Sequence, residues 1–227
     1  MLNSTAVRAD PATRPTDDTG NHPPSRWLIL TRIGLIVAWL GCYFPWTATR
    51  GAAFTVNLFD LAEWTSLDSA VRYGSPPLLP TFLLRLTVGL IAVIIALHAV
   101  QTRSIGARRV LIGLALLIGI GLLPPIAFFS GQSGDANYRQ QFVIALATCV
   151  VVFNLWLLGQ RLSHRIVARA TVIGLVLALI TGTIGWLTGV NALSAFQIHL
   201  SPGYGLLIAL ASWLLAGVSA AIDSLRR

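Results

Sequence analysis

Residues 78–109, LLPTFLLRLTVGLIAVIIALHAVQTRSIGARR, decide the fold. From Leu78 to Val100 the only polar side chains are Thr81, Arg85, Thr87 and His98. As a helix rising about 1.5 Å per residue, the stretch is long enough to cross a hydrocarbon core of roughly 30 Å. Arg103, Arg108 and Arg109 follow at once. An apolar run closed by a tight basic loop is the mark of a span that ends on the cytoplasmic side.

Working outward in both directions, the same pattern recurs and predicts six spans, at about 27–44, 78–100, 110–130, 140–158, 170–190 and 203–222. Lipid offers no partner to an unpaired backbone group and the dyad alternation of a barrel strand is missing, so the spans are read as helices. The predicted fold class is an all-α integral membrane protein: six transmembrane helices as three hairpins, plus a short extracytoplasmic interfacial helix. The domain reading is a disordered cytoplasmic tail over 1–26, a transmembrane domain over 27–223 with an extracytoplasmic loop at 45–77, and a short C-terminus at 224–227.

Arginine placement gives the orientation. Arg8, Arg14, Arg26, Arg103, Arg108, Arg109, Arg161, Arg165, Arg169, Arg226 and Arg227 fall on one side of the predicted spans, and Arg50, Arg72 and Arg139 on the other. Eleven against three puts both termini in the cytoplasm, in a multi-pass protein of a bacterial cytoplasmic membrane. The first span reads as an uncleaved signal anchor, because CYFPWTATRG after it lacks a small-x-small cleavage site.

Composition agrees with that class and narrows the function. The chain is 55% hydrophobic and 11% charged, against roughly 25% charged in soluble domains. Six spans leave no room for a separate catalytic domain. The net charge of +8 sits at the ends of apolar runs, where anionic headgroups explain it, so membrane lipid is the expected partner and nucleic acid is not. Every basic residue is arginine, which genome composition explains most simply. Cys42 and Cys149 lie within apolar runs and imply no disulfide framework.

An internal repeat is one reading of the spans. Ile-Gly-Leu recurs at 33–35, 112–114 and 173–175, and Pro45, Pro124 and Gly185 each follow eleven residues after the glycine. Chance recurrence in apolar sequence is the other reading. Helix contacts are expected where small residues let backbones approach, at Gly182, Gly185 and Gly189 of the fifth span against Ser212, Ala216, Gly217 and Ala221 of the sixth. Pro124 and Pro125 predict a kink in the third span.

The loop PWTATRGAAFTVNLFDLAEWTSLDSAVRYGSPPLLP, residues 45–80, is the least lipid-like part of the predicted transmembrane domain. Apolar spacing over Asn57–Ala70 predicts a short surface helix, with Asn57 as cap, Asp60 in the first turn, and Trp46 and Trp64 at headgroup depth. Asp60 and Glu63 share a face of it. Arg85, two turns into the second span, needs either a route to headgroups or a carboxylate partner in Asp60 or Glu63. Asp60, Glu63, Trp64 and Arg85 are therefore the candidate functional or partner-contact residues.

Other polar groups carry weaker readings. His98 and His164 are the one histidine pair of similar depth, but His164 lies beyond its span, so no haem is expected; no zinc spacing occurs either. Asn154, Thr181, Thr183 and Thr188 either line a solute path or bond to neighbouring helices and their own backbone. No nucleotide loop or nucleophile elbow is present. Neither a catalytic residue, a cofactor nor a metal is predicted. The leading expectation is a non-enzymatic accessory or assembly subunit of a larger membrane complex, in contact with other subunits. The alternatives are a small-solute or ion transporter with an outer acidic vestibule, and a lipid-modifying membrane enzyme.

Overall fold

A computed structural model describes residues 25–49, 55–198 and 200–225. Residues 1–24 of the tail predicted over 1–26, residues 50–54, His199 and the terminal Arg226 and Arg227 lie outside the described residues, and Arg26, the last residue of that predicted tail, already belongs to the first helix. The elements run α1 (Arg26–Gly41), β1 (Thr47–Thr49), β2 (Thr55–Val56), α2 (Leu58–Ser66), α3 (Ser69–Arg72), α4 (Leu79–Val100), α5 (Ile105–Gly121), α6 (Ala136–Leu158), α7 (His164–Ser194), β3 (Leu200–Pro202) and α8 (Tyr204–Leu225). Short 3-10 turns stand at Ile126–Phe128 and Gly159–Arg161.

Four of these helices, α4, α6, α7 and α8, are long and apolar enough to cross a membrane. At 16 and 17 residues, α1 and α5 are shorter. The helices start where the sequence supplies an oxygen for orphan backbone donors. Ser25, Asn57, Asp68, Ser104, Asp135 and Ser163 each accept a hydrogen bond from the first turn that follows. For α4 no side chain does so; Leu78 precedes it in the left-handed region at φ 54° and Pro80 occupies its first turn.

The bundle is organised around α4. Over its apolar stretch 78% of α4 is buried inside the protein, against 22% for α6. One flank of α4 is covered by α5 and α6, another by α7, and the remainder in part by α1. The other large contact joins α1 to α8. Backbones meet closely there: a Cβ built on Gly34 would stand 3.0 Å from Ala216 Cβ and 3.1 Å from the Ser212 carbonyl, and one on Gly41 3.2 Å from Ala209 N.

An antiparallel sheet in the order β2-β1-β3 sits beside α2 at one end of the bundle. Thr47 faces Val56 on one side and Pro202 on the other, so β1 ties α1 to the start of α8. Gly203 and Gly205 extend the junction by donating to the carbonyls of Trp46 and Pro45 at 2.8 and 2.7 Å. A side chain at either glycine would collide with the backbone of 44–46, which is why this crossing needs glycine.

The architecture departs from the sequence expectation in several places. It is mostly helical, and Thr47–Thr49, Thr55–Val56 and Leu200–Pro202 add three short paired strands that the sequence reading did not anticipate. The third apolar run ends as a helix at Gly121, so Pro124 and Pro125 follow the helix rather than kink it. The fifth run extends to 31 residues, and the last continues through Leu225 into the stretch read as a C-terminal tail. Trp46 is fully buried, its indole donating to the Gly41 carbonyl at 3.1 Å and its ring meeting Trp213 edge-on at 6.2 Å, instead of lying at a surface.

Candidate functional site

The sequence around Glu63 folds as it does for local reasons. Asn57 is extended and its side chain accepts from the Asp60 amide at 3.0 Å, which starts α2. Leu58, Leu61, Ala62 and Thr65 then recur on the buried face, and Glu63 follows at its edge. Across from it, Asp135 caps α6 by accepting from the amides of Asn137 and Tyr138 at 2.8 and 3.2 Å. That cap fixes Asn137 in the first turn, facing α4.

Arg85 sits between these two helices at 2% exposure. Its Nη2 donates to Glu63 Oε1 at 2.5 Å, and its Nη1 donates to Asn137 Oδ1 at 2.8 Å and to the Asn137 carbonyl at 3.2 Å. The ring closes when Asn137 Nδ2 donates to Glu63 Oε2 at 3.1 Å. Both carboxylate oxygens of Glu63 are thus occupied by donors from α4 and α6. Of the two acids that shared a predicted face, only Glu63 reaches Arg85.

A second pair extends the polar seam. Arg72 of α3 lies 3.2 Å from Asp135 Oδ2 and donates through Nε to the Ser66 carbonyl at 3.3 Å. The cap of α6 is therefore also the anchor of α3. Sequence reading missed Asn137, Asp135 and Arg72 as partners. Asp135 at a helix start was a visible signal, but nothing local connects position 72 to position 135.

A cleft of about 350 Å³ opens beside the ring, bounded by Tyr43, Phe59, Asp60, Glu63, Arg85 and Gln141 among others. It lies between the end of α1 and the end of α5, which reach α4 from different sides. Tyr43 and Phe59 meet along one wall with ring centroids 5.0 Å apart and planes tilted by 42°. Asp60 is exposed, and its carboxylate makes no hydrogen bond or ion pair among the described residues. Trp64, one residue past Glu63, is 44% exposed.

The remaining candidates are spread elsewhere. Gly182 meets Trp213 of α8, but Gly185 meets Leu83 and Leu84 of α4, and Gly189 meets Thr65 of α2. A Cβ on Gly217 would touch nothing within 4 Å, so the contact anticipated there is absent. Ser212 and Ala216 face α1 instead of α7. Thr181 bonds to Thr87 across α4 and α7 at 2.8 Å, Thr188 bonds to its own helix, and Asn154 is exposed, with its amide turned to the Val150 carbonyl at 2.8 Å. Among the described residues no group of three or more His, Cys, Asp or Glu could hold a metal ion.

No family model, curated protein or solved structure matches this chain. The functional reading therefore stands on its own residues.

Proposed function

We propose that the protein is a six-span integral membrane protein with both termini cytoplasmic, acting as an accessory or assembly subunit whose outer cap is the contact surface for another membrane protein. The observation that carries this reading is the ring of Arg85, Glu63 and Asn137. Each oxygen of Glu63 accepts a hydrogen bond from a buried side chain on another helix, so the ring connects α2, α4 and α6. That is the chemistry of a clamp. It holds a rigid cap over the bundle and leaves Leu67 and Tyr73 exposed at 67% and 82%.

In this orientation α1 and α5 also span, the turns after Gly41 and Gly121 carrying the chain to the far interface. A second reading is a solute vestibule, and one observation favours it. Two carboxylates against one guanidinium leave the cleft with one net negative charge, beside the paired rings of Tyr43 and Phe59. Such a site suits a small organic cation, which aromatic faces attract.

One purification decides between them. From mild detergent, the first reading gives a stoichiometric partner that is lost on Leu67→Arg with Tyr73→Asp while thermal stability is unchanged. A lone protein stabilised by tetramethylammonium, with the stabilisation lost in Asp60→Asn, overturns it in favour of the second.

A further inference from the structure

The end of the bundle opposite α2 holds another polar group, drawn from four helices. His98, in the last turn of α4, is 5% exposed, and its Nε2 stands 3.2 Å from the Thr171 hydroxyl of α7. Asp223 of α8, also 5% exposed, accepts a hydrogen bond from Ser25, the cap of α1. Its other carboxylate oxygen lies 3.6 Å from Nε2 of His164, the first residue of α7. Arg32 of α1 closes the group, donating to Thr102 Oγ1 at 2.8 Å and to the His98 carbonyl at 3.3 Å. The charged or titratable groups that face His98 are thus Arg32, His164 and Asp223.

His98 Nδ1 is buried and has no hydrogen-bond partner among the described residues. Thr171 engages only the other nitrogen. If Nε2 carries the proton, Nδ1 is a lone pair that needs a donor; if Nδ1 carries it, the N–H needs an acceptor. A water molecule serves either tautomer. His98 also lines a cavity of about 10 Å³, bounded by His164, Asp223, Gln101, Thr31 and Thr171 among others. That volume fits about one water centre, and the wall supplies the two or more polar partners a buried water requires.

We infer that this cavity is a binding site for one water molecule, which joins His98 Nδ1 to the Asp223 and His164 pair and lets the two imidazoles share a single proton. The proton enters through His164, whose side chain is 28% exposed, and passes by way of Asp223 and the water to His98. Only N–H and O–H bonds form and break, and the net charge of the group rises by one. The route ends there. From Thr171 the next hydroxyl on α7 is Thr181, ten residues and about 15 Å further along, and both α4 and α7 are apolar in between. The group stores a proton at one end of the bundle and does not conduct it across.

Nitrogen-15 spectra of the histidine-labelled full chain in nanodiscs test this, with His98→Gln and His164→Gln for assignment. The expected result is magnetisation exchange between His98 Nδ1 and a bound water, and one pH step common to His98 and His164, as coupled groups show. Asp223→Asn separates that step into two, while Asp60→Asn at the far end leaves it intact. In His164→Gln, which keeps Asp223 in place, the His98 step moves by about half a pH unit or more. Absence of water contact at Nδ1, or independent titration of the two imidazoles in the unaltered chain, overturns the proposal. If Asp223→Asn does not fold, an unmoved His98 step in His164→Gln overturns it by itself.

Discussion

Arg85 and Glu63 are partners of unequal exposure, and the inequality sets what each substitution does. The Arg85 side chain is 3% exposed and that of Glu63 is 47% exposed. Glu63→Ala leaves a guanidinium buried with only Asn137 oxygens around it, and orphaning a buried charge typically costs about 3–5 kcal/mol. Arg85→Ala leaves a carboxylate that water can reach, so its cost is smaller, about 1–3 kcal/mol, from the packing and hydrogen bonds it removes. The double variant should cost less than the sum of the two. Equilibrium unfolding in mixed micelles reads the cycle, and strict additivity would remove the pairing as an energetic unit. Much of this was legible in the sequence, because a lone arginine two turns into an apolar run demands a partner and the chain has one glutamate. The role of Asn137 was not. A neutral amide at the start of a helix announces no partner, and only the tertiary fold brings positions 63, 85 and 137 together.

At the scale of elements, the contact of α1 with α8 depends on small residues in a way that the exposed glycines do not. Gly34→Val puts branched carbon where 3.0–3.1 Å is available, so the helices must separate, for a cost of about 1–3 kcal/mol. Gly217→Ala meets open space and improves helix propensity, so it should be neutral or stabilising by up to about 1 kcal/mol. Thermal unfolding of both variants in one detergent checks the contrast; equal losses would mean that the close approach at Gly34 has no energetic consequence. Sequence reading located the helices well and their faces badly, and the reason is physical. A helix that is apolar all round has no stripe to mark its buried side, because lipid and protein neighbours ask for the same side chains. The small residues of α8 therefore pointed equally well to α7 and to α1. The three Ile-Gly-Leu triplets show the same ambiguity, since Gly34 packs on α8, Gly174 meets Ile94 of α4 and Gly113 meets nothing. The strands were invisible for another reason: two or three residues leave no local period to detect, and β1 finds β3 only across about 150 positions.

For the whole molecule, the proposed orientation makes opposite ends of the bundle accessible to different reagents. Cys42 is buried and Cys149 half-buried, so the native background to thiol labelling should be low. Ser69→Cys, in exposed α3, should react with a membrane-impermeant maleimide added to intact cells, whereas Ile105→Cys, exposed at the start of α5, should react only after permeabilisation. The reverse pattern overturns the proposed orientation, and labelling of both in intact cells removes α4 as a span and with it the six-span arrangement. The seam between α1 and α8 also carries a temporal meaning. α8, the mate of α1, is made only after about 150 further residues, and β1 waits as long for β3. An interrupted polypeptide that stops before Leu200 cannot bury the glycine groove of α1 or occupy the unpaired edge of β1. Products that stop there would all display the same two unfinished surfaces, which gives membrane proteases a uniform means of telling them from chains that have reached α8.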